Sequence, residues 1–87
     1  MPESAEIRLK RLRMRSMRRG IKEMDIILAR FAEACLHGLD ADSLDSYDAL
    51  LSENDQDLYQ WVTGQATPPP RFADIVARIA AAAPPAR

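Results

Sequence analysis

Eighty-seven residues, 47% of them hydrophobic and 29% charged, give room for one domain with a modest core and exclude a composition typical of disorder. One cysteine, Cys35, cannot form an internal disulfide, and with one histidine no Cys/His metal cluster can be assembled. The net charge of −1 hides a split: residues 1–22 carry eight basic side chains against Glu3 and Glu6, a balance of +6, while residues 23–87 carry four against eleven acids, a balance of −7.

A basic head on an acidic body points to a directed contact with a partner, or to neutralisation of one part by the other within the fold. No apolar run approaches the roughly 20 residues of a membrane helix, so no membrane insertion is expected. The N-terminal stretch lacks an apolar signal core, and its glutamates argue against an acid-poor transit peptide; a cytoplasmic location is the expectation.

Residues 1–6 read as a frayed terminus. Good helix formers without a breaker predict a first helix from about Ile7 to Met17, with Leu9, Leu12 and Met17 apolar among basic residues. Gly20 breaks it and is a natural hinge. A longer helix from Ile21 or Lys22 to His37 carries Met24, Ile27, Leu28, Phe31, Cys35 and Leu36 at the spacing of one buried stripe. Gly38 is a ready C-cap, and His37 reads as a helix-end residue. Asp40 or Asp42 caps a third helix, about 43–51, with Leu44, Tyr47, Leu50 and Leu51 inward. Ser52-Glu53-Asn54 makes a turn into a fourth, about 55–63, closed by Gly64. The acids of residues 40–57 lack calcium-loop spacing and read as solvated faces. Residues 65–70 form a Pro-rich linker, a fifth helix starts near Pro70 or Arg71, and 84–87 is a tail stopped off by Pro84-Pro85. The fold class is therefore all-α, a single-domain bundle of four to five short helices.

There is no phosphate-cradling glycine loop and no Ser/His/Asp set, so an enzyme is not expected. Cys35 sits on an apolar stripe, and the aromatic residues fall at core-like spacing, away from the basic head. What remains is a binding module. Its candidate surface is the charged knot around Gly20: Arg15, Arg18 and Arg19 before it, Glu23 and Asp25 after it in the first turn of the next helix. Arg19 and Glu23 are expected to stand side by side facing outward, either as a recognition surface or as a clamp between the first two helices.

Arg19-Gly20-Ile21-Lys22-Glu23 resembles the Arg-Gly-x-x-Glu signature of the small flavinylation factors that assemble succinate dehydrogenase. Leu50-Leu51, Asp55, Asp57-Leu58-Tyr59 and Trp61 resemble that family's second block, and the likeness spans about residues 8–64. Ser52-Glu53-Asn54 departs from the acid-Asn-Asp found in many relatives. The resemblance implies a five-helix assembly factor, not a catalyst. It implies binding to the flavoprotein subunit of succinate dehydrogenase or of fumarate reductase, and promotion of covalent FAD attachment to a histidine there. Carried over by position, Arg19, Gly20 and Glu23 are the functional motif, and Arg18 and Asp25 flank it; Leu58 and Trp61 match family positions but read as core. No tightly bound cofactor is expected, FAD being carried by the partner, and the working form is expected to be a monomer. The competing reading is a nucleic-acid-binding or antitoxin-type regulator using Arg8, Lys10, Arg11 and Arg13.

Overall fold

The computed structural model describes residues 4–17 and 19–82. Arg18 and the tail at 84–87 lie outside the described residues. Five α-helices follow one another: α1 (Ala5–Arg15), α2 (Lys22–Cys35), α3 (Ala41–Leu50), α4 (Asp55–Val62) and α5 (Ala73–Ala82). Short 3-10 turns at Leu36–Gly38 and Pro70–Phe72 extend α2 and lead into α5. No strand occurs among the described residues, and none of their helices is long and apolar enough to cross a membrane.

Helix ends depart from the sequence reading where side chains capture backbone groups. α1 starts at Ala5 because the Ser4 hydroxyl accepts the Ile7 N–H at 3.2 Å, which orders residues expected to fray. It ends at Arg15, five residues before Gly20. Ser16 turns its hydroxyl back to the Leu12 carbonyl at 2.8 Å and bonds the Tyr47 hydroxyl, competing with further helix. Asp40 caps α3 by accepting from Ser43 N–H at 2.8 Å, and Asn54 caps α4 by accepting from Gln56 N–H at 2.7 Å.

Gly38 does not take the left-handed conformation expected of a C-cap; α2 tightens into a 3-10 turn instead. Gly64 does, at φ +81°. There Gln65 N–H reaches the Gln60 carbonyl at 2.8 Å and Gly64 N–H reaches that of Trp61 at 3.3 Å, so these two carbonyls of the last turn of α4 are satisfied.

α2 is the central helix and packs against α1, α4 and α5. Its Met24, Leu28, Phe31 and Ala32 are buried with Leu12 of α1, Tyr47 and Leu50 of α3, Leu58 and Val62 of α4, and Ile75, Val76 and Ile79 of α5. Ile27 and Cys35, expected on the same stripe, are half-buried at its edge. Phe31 and Tyr47 meet with ring centroids 5.3 Å apart, and Trp61 leans on Phe72 at 6.0 Å.

Candidate partner-binding site

Four arginines of the basic head, Arg8, Arg11, Arg15 and Arg19, are spent on the acidic body, while Lys10, Arg13 and Lys22 are exposed. Arg8, Arg11 and Arg15 recur at three and four residues, so they share one face of α1. That face meets α3. Arg8 Nη2 pairs with Asp45 Oδ1 at 2.6 Å, and Arg11 forks onto both oxygens of Asp48 at 2.9 and 3.2 Å. Arg15 joins Asp48 Oδ1 and reaches Ser52 Oγ at 3.0 Å. A hydrogen bond from Arg11 and the charges of Arg11, Arg15 and Arg8 hold the Asp48 carboxyl below its ordinary range, against the opposing effect of burial. The acids of 45–55 are thus the counter-face of this seam, not simply solvated helix surface.

Arg19 continues the seam past the end of α1. Its Nε donates to Asp55 Oδ1 at 2.8 Å, Nη1 to the Arg15 carbonyl at 3.2 Å and Nη2 to the Glu53 carbonyl at 3.4 Å. The second oxygen of Asp55 accepts the Gly20 backbone N–H. Both ends of the pair are largely covered, with 13% of the Arg19 side chain and 17% of the Asp55 side chain exposed. A Cβ on Gly20 would lie 3.0 Å from Asp55 Oδ2, close enough that the carboxylate would have to shift by a few tenths of an ångström to admit it. Asp55 stands in the first turn of α4, where the helix dipole favours a carboxylate.

The expected outward pair of Arg19 and Glu23 is therefore not what forms. Arg19 turns inward to Asp55, because a fixed acid and two carbonyls satisfy its donors better than a mobile glutamate at the surface would. Glu23 is exposed in the first turn of α2, and no side chain among the described residues pairs with it. Gly20, three residues earlier in the chain, is exposed as well. Asp25 is half-buried, its N–H bonded to the Ile21 carbonyl at 3.0 Å. Arg15 belongs to the α1–α3 seam. Arg18, also expected at the site, lies outside the described residues. Leu58 is buried and Trp61 half-buried, both packed in or against the core. Sequence reasoning placed Asp55 in the second block without joining it to Arg19. The signal was the matched spacing of Arg8, Arg11, Arg15 and Arg19 with Asp45, Asp48, Ser52 and Asp55.

The arrangement defines a small all-α protein that offers an exposed glutamate and a bare stretch of backbone at the edge of a tightly braced knot. A family model described as flavinator of succinate dehydrogenase matches residues 10–83, and the chain belongs to that family. Among its curated relatives is succinate dehydrogenase assembly factor 2, mitochondrial, of Debaryomyces hansenii, 46% identical over 61 residues that cover 70% of this chain and 43% of that protein. The protein of the same name from Komagataella phaffii is 41% identical over 59 residues, covering 68% of this chain and 31% of its own length. In Penicillium rubens the figures are 43% identity over 60 residues, 67% and 19%.

The chain thus spans less than half the length of these relatives. Their names also correct the expectation of a cytoplasmic location, since each is called mitochondrial. That expectation rested on Glu3 and Glu6, which lie outside the residues that the family model matches.

Proposed function

We propose that this protein is a non-catalytic assembly factor that binds, as a single copy, the flavoprotein subunit of succinate dehydrogenase and promotes covalent attachment of FAD to a histidine of that subunit. The corresponding subunit of fumarate reductase is a second partner of the same kind. FAD is cargo carried by the partner. Attachment needs flavin, accepting side chain and the surrounding enzyme segments in one geometry, and such positioning is worth several kcal/mol. A rigid bundle contributes by holding that geometry together and needs no reacting group of its own.

The observation that carries this reading is the exposed Glu23 beside Gly20 on the braced edge, in a chain of this family. Glu23 orders a partner loop or a proton-carrying group, and Gly20 lets the partner backbone come close. Arg19 acts differently from the sequence-based expectation: it braces the edge through Asp55 and does not itself grip the partner. In a reconstituted reaction of apo-flavoprotein, FAD and this protein, Glu23→Ala is expected to keep the helical signal and the thermal midpoint while covalent flavin, read by in-gel fluorescence, falls at least about tenfold. Wild-type levels of covalent flavin with a folded Glu23→Ala protein would refute the role given to Glu23.

A further inference from the structure

We infer that Asp55, on α4 and 32 residues beyond Glu23, is the positioning residue of the Arg-Gly-x-x-Glu edge. This inference rests on the proposed function and adds to it the residue that sets how the edge is presented. One carboxylate does two things at once: Oδ1 takes the Arg19 guanidinium, and Oδ2 takes the Gly20 N–H. The connection between α1 and α2 is thereby tied to the first turn of α4. The α2 N-terminus has no side-chain cap of its own; Ile21 occupies the cap position in extended conformation and leaves the first turn dependent on what precedes it. The tie at Gly20 lies one residue before that cap and three before Glu23, so it fixes the direction in which α2 starts and with it the place of Glu23. A short aspartate on a helix is suited to this, having few rotamers to lose. A side chain at Gly20 would press on the oxygen that holds its N–H, so that the carboxylate would have to give by a few tenths of an ångström.

An edge that is already in its bound conformation binds without a population cost; one released from α4 is competent only part of the time, and its apparent affinity falls by that fraction. Asp55→Asn keeps the shape but replaces one acceptor oxygen by an amide and removes the charge that Arg19 seeks. Asp55→Asn is expected to raise the concentration needed for half-maximal flavinylation about tenfold, with the rate at saturation within about twofold of wild type. Asp55→Glu, which keeps the charge, recovers part of the loss.

Hydrogen exchange supplies a readout independent of the partner. Gly20 is exposed, and Asp55 is the acceptor of its N–H, so protection of that amide reports this one bond. Gly20 is expected to exchange at least about tenfold more slowly in the wild type than in Asp55→Asn. Exchange of the wild-type Gly20 amide at the free-peptide rate overturns the inference, as does a folded Asp55→Asn protein with an unchanged half-saturating concentration. If Asp55→Asn fails to fold, the wild-type exchange rate still decides. A wild-type protein that is protected at Gly20 yet binds no flavoprotein sinks the function proposed above instead, and with it the functional half of this inference.

Discussion

Two buried or nearly buried polar pairs bear unequal weights at the level of single residues. Ser16 is fully buried, yet its hydroxyl has two partners, the Leu12 carbonyl and the Tyr47 hydroxyl. Tyr47→Phe removes one of them and leaves the other, so the cost is expected to be about 1 kcal/mol in denaturant unfolding. Burial pushes the Tyr47 hydroxyl up to about 12, although the Ser16 hydrogen bond pulls the other way. The phenol stays neutral in the fold where the unfolded chain would ionise, so its contribution is complete below about pH 10 and declines as pH rises from there through about 12. Tyr47→Phe is expected to abolish that share of the alkaline decline, as a flatter unfolding midpoint between about pH 10 and 12 would register. Arg19 and Asp55 are the opposite case, a charged pair in which each member depends on the other. Loss of either leaves a mostly covered charge unpaired, which makes the pair a brace and not a spare contact.

The seam between α1 and α3 shows at the level of elements what was and was not legible beforehand. Apolar periodicity placed the stripe of α2 and the cores of α4 and α5, because burial alone dictates those positions. Glycine chemistry placed the end of α4 at Gly64, where a positive φ is needed, and misplaced the end of α2, where it is not. Charges were harder: a basic stripe and an acidic stripe look the same whether they face water or each other, and only the tertiary fold brings residues 37 apart into contact. The seam carries its own pH dependence. Asp48 is held below its ordinary range by Arg11 first, so the unfolded chain binds its proton more readily than the fold does. Its stabilisation is present above about pH 4 and is lost as the pH falls through the lowered folded value. Asp40, lowered by its capping bonds to Ser43, acts in the same direction. Thermal midpoints measured from pH 6 down to pH 2 are expected to fall steeply below about pH 4. Asp48→Asn is expected to cost about 1 kcal/mol at neutral pH and to make that fall shallower, leaving the share that belongs to Asp40.

The whole molecule turns its charge asymmetry inward, and this bears on the nucleic-acid reading. If Arg8, Lys10, Arg11, Arg13, Arg15 and Arg19 were all available, these six cations would bind duplex DNA with a log–log salt slope of about −5, each phosphate contact contributing about −0.9. Here Arg8, Arg11, Arg15 and Arg19 are engaged by Asp45, Asp48 and Asp55, and a phosphate would have to displace carboxylates already seated at hydrogen-bonding distance. On α1, Lys10 and Arg13 are exposed with no carboxylate partner among the described residues, enough for a slope of about −2. The surplus acid of the body then repels the duplex beyond the head. Gel shifts from 25 to 200 mM salt are expected to show only weak retardation with that shallow slope, and neutralising Lys10 and Arg13 together should abolish it. Tight binding with a slope near −5 would mean that the seam opens to accept phosphate, and that the brace behind Glu23 is not the fixed structure on which the assembly-factor reading depends.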